Sequence, residues 1–232
     1  MPKPRSLEKE RAYDRLLDLI LRGQVSPDVP LAERRLAETL GMGRTPVREA
    51  IKDLVREGVL EAHPTQGTFV RQLSLRDVQE IYQVRYAIEG LAAFLAAERG
   101  PTGTLLDFGR DFRAALAAPE TSDVAKVYDR GAEFHLEVFR CAGNRNLLEI
   151  YRPIRLRFRI ALGMPRHNDP DRVFESAREH LEILEAIEAR DGALAQKRIC
   201  DHLHKGLEAR TRLFQGVSGY GPVTIEAMAG GD

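Results

Sequence analysis

The chain has 232 residues, 43% of them hydrophobic and 30% charged, with 35 basic side chains against 35 acidic ones. That length points to two domains of ordinary size, either of them large enough to bury a core. A net charge of zero argues against a protein that coats nucleic acid indiscriminately, and no apolar run approaches the ~18 residues of a membrane helix.

The first ten residues are charged where a secretory signal needs an apolar stretch, which points to a cytoplasmic protein. Two cysteines, Cys141 and Cys200, suit a reducing compartment, form no metal-ligand cluster and read as packing residues.

A first helix is expected from about Leu7 to Leu21, with Leu16, Leu17, Leu19 and Ile20 on its apolar side, ended by Gly23 and Pro27. A second runs from Glu33 to Leu40 with Leu36, Ala37 and Leu40 facing in, and Gly41-Met42-Gly43 makes the turn. The third, Arg44 to Glu57, carries Pro46 in its first turn, where a missing N–H costs little. Val47, Ala50, Ile51, Leu54 and Val55 hold it to the other two, so Arg44, Thr45 and Arg48 face outward, and Gly58 closes it.

Residues 59–62 and 68–71 then read as two short strands around the tip Pro64-Thr65-Gln66-Gly67. A helix-turn-helix followed by a ribbon is a DNA-docking arrangement, since a helix fits the major groove and a ribbon can lie along the adjacent minor groove. Between Arg34 and Arg48 four arginines (Arg34, Arg35, Arg44, Arg48) face one acid, Glu38, a surplus of three charges in fifteen residues. A compact basic patch on a neutral protein fits site-directed DNA binding.

Beyond Arg71 the pattern is helical only. A long helix opens near Ser74 and runs to about Arg99, which puts the domain boundary between Gln72 and Ser74 with almost no linker. Such a short connection is expected to couple the domains mechanically. Further helices are expected at about 104–118, 122–142, 146–162 (with Pro153 as a kink or restart), 171–190 and 191–214, packed as an all-α bundle. The glycine-rich tail, 216–232, is expected to be loosely held. The fold class is therefore mostly α: a winged helix-turn-helix domain (1–72), then a helical domain (73–215).

Three histidines lie on inward stripes. His135 shares one with Val124, Tyr128, Gly131, Val138 and Ala142; His180 joins Ile183, Leu184 and Ile187; His202 joins Ala195, Ile199 and Gly206. One such histidine is an ordinary core residue, but three on separate helices favour a shared polar centre, and imidazole suits Zn²⁺, Ni²⁺ and similar ions.

The residues Glu33-Arg34, Leu36-Ala37, Gly41, Arg44-Thr45-Pro46-Val47-Arg48-Glu49-Ala50, Leu54, Gly58 and Gly67 resemble the pattern of the GntR family of bacterial transcription regulators, over residues 7–71. The resemblance implies that Arg34 contacts a phosphate or base, that Arg44, Thr45 and Arg48 do so from the recognition helix, and that the Gln66-Gly67 tip enters the minor groove. Pro46 and Arg35 are candidates on the same surface, although neighbours on a helix cannot both face a groove well. Two departures stand out. Gly43 replaces a usual serine or threonine, removing a side-chain cap and a phosphate donor, and Gln66 replaces a commonly basic residue.

The second half resembles the FCD ligand-binding domain of the FadR-like subfamily, through Arg85 with Glu89, Phe134-His135 leading to Gly143-Asn144, Glu179-His180 with Ala186, and Asp191 with Ala195 and His202. The resemblance implies a metal held by an aspartate and three histidines, here His135, His180 and His202, with a carboxylate-bearing metabolite completing the coordination. The aspartate should stand one helical turn before His135, where this chain has Gly131. Water or an effector carboxylate could fill that position, or the cavity could work without metal. Arg85 reads either as the anchor of an anionic effector or as the i,i+4 partner of Glu89. A helix face with Arg152, Arg155, Arg157 and Arg159 offers a second anion contact or a plain charged surface.

These readings converge on a non-enzymatic, ligand-responsive regulator, a repressor in sign, that binds a pseudo-palindromic operator in double-stranded DNA as a homodimer and responds to a small organic acid. No membrane partner is expected. A metal-dependent enzyme with a three-histidine centre and a DNA-binding protein whose helical half only dimerises are the alternatives.

Overall fold

In the computed structural model of the chain, which describes residues 7–161 and 169–216, the order of elements is α1 (Leu7–Leu21), α2 (Glu33–Leu40), α3 (Arg44–Arg56), β1 (Leu60–His63), β2 (Gly67–Val70), α4 (Leu75–Arg99), α5 (Gly103–Ala117), α6 (Val124–Ala142), α7 (Arg145–Ala161), α8 (Pro170–Glu188) and α9 (Gly192–Gly216). A 3₁₀ turn, Pro119–Thr121, was not foreshadowed by the sequence pattern. Two compact units result, one built from the elements up to Ser74 together with α7, the other from α4–α6, α8 and α9.

In the first unit, α1, α2 and α3 close on a core of Leu16, Ile20, Leu36, Leu40, Val47, Ala50, Ile51 and Leu54, with Val59, Leu60 and Val70 from the ribbon. The apolar spacing of each helix sets which face turns inward. Gly41 ends α2 at φ +60°, the left-handed conformation in which its amide returns to the carbonyls of Ala37 and Glu38. Gly43 stands at the N-cap of α3 with extended backbone and no side-chain cap. The strands pair antiparallel, Leu60 with Val70 and His63 with Gly67, each strand lying one residue nearer the tip than the sequence suggests. Thr65, at φ +68°, turns the chain there.

α7 departs from expectation. The sequence assigns every helix after residue 73 to one bundle, yet α7 groups with the winged unit. Its Leu156 packs on that unit's core, and Arg157 Nε donates to the carbonyl of Glu57 at 2.6 Å, satisfying a helix-end carbonyl of α3. Pro153 neither breaks nor restarts the helix.

In the second unit α4 packs along α9 and against α6, while α8 meets α9, α5 and α6. Caps fix the helix starts. Thr102 accepts from Leu105 N, Asp123 from Ala125 N and Lys126 N, and Asp169 from Arg172 N. Asp169 and Pro170 therefore start α8 one residue earlier than its periodicity suggests, and Asp191, read as the first helical residue of α9, is instead its cap through Leu194 N. The bundle interior holds Phe108, Phe112, Phe134, Phe139, Ile183, Leu184, Ile187 and Ile199, and the free thiol of Cys141 is buried with them. No strand lies among the described residues of this unit, and no described helix is long and apolar enough to cross a membrane. The tail expected to be loose lies, after Gly216, outside the described residues.

Candidate nucleic-acid interface and metal centre

On the winged unit, burial of Leu36, Ala37, Leu40, Val47 and Ala50 leaves the opposite faces of α2 and α3 in solvent. Arg34, Arg35, Arg44, Thr45 and Arg48 are all exposed, as are Gln66 and Gly67 at the ribbon tip, and Pro46 is partly exposed. A concavity of about 520 Å³ is lined by Arg34, Ala37, Glu38, Gly41, Met42, Gly43 and Arg44.

One feature escaped the sequence reading. Arg48 is gripped by Glu33 at the start of α2: Nε lies 3.1 and 3.0 Å from the two carboxylate oxygens and Nη2 lies 2.9 Å from Oε2. Hydrogen bonding to Glu33 and its charge hold the guanidinium above its ordinary pKa. Glu33 stands immediately before the basic stretch from Arg34 to Arg48, and its charge reduces the surplus of that surface.

The three inward histidines converge. His135 Nε2 lies 3.2 Å from His202 Nε2 and 3.2 Å from His180 Nε2, and all three rings are buried. Behind them, His135 Nδ1 meets Glu89 Oε2 at 2.6 Å and His202 Nδ1 meets Glu179 Oε2 at 2.7 Å. A carboxylate can only accept, so each Nδ1 carries a proton, and Nε2 is the ring atom turned to the centre. His180 differs. It stacks on Phe112 at 5.2 Å between ring centroids and tilts against Phe134 at 4.8 Å, with a buried Nδ1 that has no hydrogen-bond partner among the described residues.

Burial opposes a charge on His180 and His202, while basic neighbours favour ionised carboxylates at Glu89 and Glu179. Burial pushes His180 well below the usual imidazole range, and burial lowers His202 to about 4 against the pull of Glu179. Burial works against ionisation of Glu89, but Arg85 and His135 outweigh it and bring its carboxyl to about 2. Glu179 likewise reaches about 2, with His202 and Arg172 overcoming burial.

The donor set fits a divalent ion. Two imidazole nitrogens that share one ion at ~2.1 Å stand roughly 3–3.4 Å apart, and two lone pairs 3.2 Å apart repel unless a cation or proton lies between them. The expected aspartate position is another matter. A Cβ at Gly131 would come within 2.9 Å of His180 Cε1, so the ring of His180 fills the space a side chain would enter.

Arg85 is not positioned as a free anion anchor. It is buried with Nε 2.5 Å from Glu89 Oε1, the i,i+4 pairing that the sequence left as an alternative.

Comparison with known proteins places these geometries in context. The family described as "Bacterial regulatory proteins, gntR family" matches residues 8–70, and "FCD domain" matches residues 80–205. A probable D-xylose utilization operon transcriptional repressor of Paenarthrobacter nicotinovorans is 32% identical over 198 residues, covering 85% of this chain and 86% of the relative. The HTH-type transcriptional regulator McbR of Escherichia coli is 29% identical over 174 residues, covering 73% and 77%. The solved structure of E. coli McbR/YncC shares the fold with a TM-score of 0.77 at 22% identity, over 90% of this chain and all of that one (100%).

Proposed function

The chain is a transcriptional regulator of the bacterial GntR family with an FCD effector-binding domain, and from that premise we propose that it is a repressor in the cytoplasm. It binds a pseudo-palindromic operator as a homodimer and lets go when a small carboxylate-bearing metabolite enters the helical domain. The observation that carries this reading is the presence, in one chain, of an exposed arginine face on α2 and α3 and a buried convergence of three imidazoles.

Residues 1–72 form the reading head in this proposal. Arg44 and Arg48 read guanine edges in the major groove, Thr45 and Arg34 position the backbone, with Arg35 and Pro46 beside them, and the Gln66-Gly67 tip enters the minor groove. A single recognition helix covers only a few base pairs, and a two-fold dimer doubles the contact set. Support for dimerisation comes from α4, which is buried on its inner face and still exposes Val84 and Leu91 on its outer one, at 45% and 42%. The relative described as a repressor supports the sign of regulation.

Residues 73–215 form the sensor. His135, His180 and His202 would hold the ion, Zn²⁺ or Ni²⁺ being the candidates that imidazole favours. Such an ion supplies open coordination positions for a carboxylate. The chain's own residues bury the imidazoles, fix their tautomers and stack His180 against Phe112. The effector would shift the equilibrium between operator-bound and released dimers through its unequal affinity for the two.

The test combines elemental analysis of the native protein, mass spectrometry of co-purified small molecules, and selection of an operator from random DNA. A stoichiometric divalent metal and an operator affinity that falls with an organic acid are the expected results. Operator affinity indifferent to every ligand of the helical domain would overturn the regulatory reading, and absence of both metal and any bound small molecule would leave a helical half that only dimerises.

A further inference from the structure

Two of the three imidazoles are backed by the same arrangement on different helices. On α4, Arg85 Nε meets one oxygen of Glu89 at 2.5 Å, and the other oxygen takes His135 Nδ1–H at 2.6 Å. On α8, Arg172 forks Glu179 at 3.1 and 2.9 Å, and Glu179 Oε2 takes His202 Nδ1–H at 2.7 Å, with Lys205 Nζ 3.1 Å from the other oxygen. Each series runs guanidinium, carboxylate, imidazole, centre. Another buried carboxylate of the bundle, Glu137, offers a contrast: it bonds Thr102 and Arg140 and touches no histidine in either contact.

We infer that Glu89 and Glu179 supply, from behind His135 and His202, the negative charge that an aspartate at Gly131 would supply directly, and that Arg85 and Arg172 are clamps for these carboxylates. The inference rests on the reading of the three histidines as a metal centre. A carboxylate on Nδ1–H fixes the tautomer, aims the ring and makes Nε2 a stronger donor to a cation. Each arginine holds its carboxylate by hydrogen bonds to the oxygens, which fixes the oxygen that faces Nδ1–H. A side chain at Gly131 would have to displace the ring of His180 before its charge could reach the centre, while both outer carboxylates are already in place.

The experiment uses the full chain, stripped of metal with a chelator and titrated with Co²⁺, following its visible absorption and competing it against a chelating indicator. Wild type is expected to bind, and Glu89→Gln and Glu179→Gln should each weaken binding about 10–100-fold with altered band intensities. Glu137→Gln should leave Co²⁺ affinity unchanged. Circular dichroism of each metal-free variant separates loss of fold from loss of affinity. Should the charge left on Arg85 prevent Glu89→Gln from folding, Glu179→Gln and Arg172→Gln decide, because Arg172 reaches the surface at 16% exposure. If wild type takes up no Co²⁺, the metal reading itself falls and this inference with it. If wild type binds and the glutamine variants stay within about twofold of it, the outer-carboxylate inference alone is overturned.

Discussion

The imidazole of His180 lies over Gly131, so close that a Cβ on Gly131 would stand 2.9 Å from Cε1 and 3.4 Å from Nδ1. The ring cannot swing freely aside, since Phe112 stacks on one side of it and Phe134 tilts against it. In this chain the glycine is the seat of a histidine. It does not leave a gap waiting for a ligand.

Gly131→Ala tests that seat. In a helix interior this change ordinarily stabilises by about 0.5–1 kcal/mol. Here the contact with His180 should outweigh the gain, lowering the melting temperature of the metal-free protein and weakening Co²⁺ binding by on the order of tenfold. Gly131→Asp should displace His180 before it adds a ligand. Calorimetry and metal titration check both, and tighter binding by either variant would show that the ring yields readily.

Arg48 and Glu33 make a second test. With an operator obtained by selection, Arg44→Ala and Arg48→Ala should each lower specific affinity by on the order of tenfold and relax preference at one base position. Glu33→Gln should release Arg48 to bind phosphate, raising affinity for unrelated DNA and steepening its salt dependence by about one unit of slope. Fluorescence anisotropy across salt concentrations measures both. An unchanged slope in Glu33→Gln would mean that the ion pair does not compete with DNA.

Removing an imidazole should remove the metal. Alanine at His135, His180 or His202 is expected to reduce the metal content of purified protein from stoichiometric to background, read by mass spectrometry of the elements. The loss should be accompanied by loss of any effector-dependent change in operator affinity. Full metal retention in all three variants would place the ion elsewhere.

The outer face of α4 gives the fourth prediction. Leu91→Arg, on a side chain 42% exposed, should leave the fold intact and shift the protein to monomer in sedimentation equilibrium, with a large drop in operator affinity. A dimer that survives both Leu91→Arg and Val84→Arg would move the interface to another surface.

Much of the fold was legible because it rests on local chemistry. The 3.6-residue spacing of Leu36, Ala37 and Leu40, the glycine turn and the run of Val47, Ala50, Ile51 and Leu54 each define a helix face without help from distant residues. The long-range pairings were harder. Leu156 and Arg157 carry α7 onto the winged unit although the helix lies more than seventy residues after that unit ends, and no periodicity announces which core a helix will join. Glu33 and Arg48, fifteen residues apart, meet only because the turn brings the start of α2 beside α3. Of the candidate centre, the three inward histidines were visible as stripes, while the carboxylates behind two of them were not singled out as partners.

The sequence by itself determined the helices and the ribbon, the family, and which side chains the first three helices and the histidine-bearing helices turn inward, because those follow from spacing, capping and motif order along the chain. Only the tertiary structure decided that three imidazoles point Nε2 at one centre, that Glu89 and Glu179 stand behind two of them, and that His180 occupies the place beside Gly131. Those relations join residues from α4, α6, α8 and α9, and they exist only once the bundle has closed and bound each side chain to partners that the chain order keeps far apart.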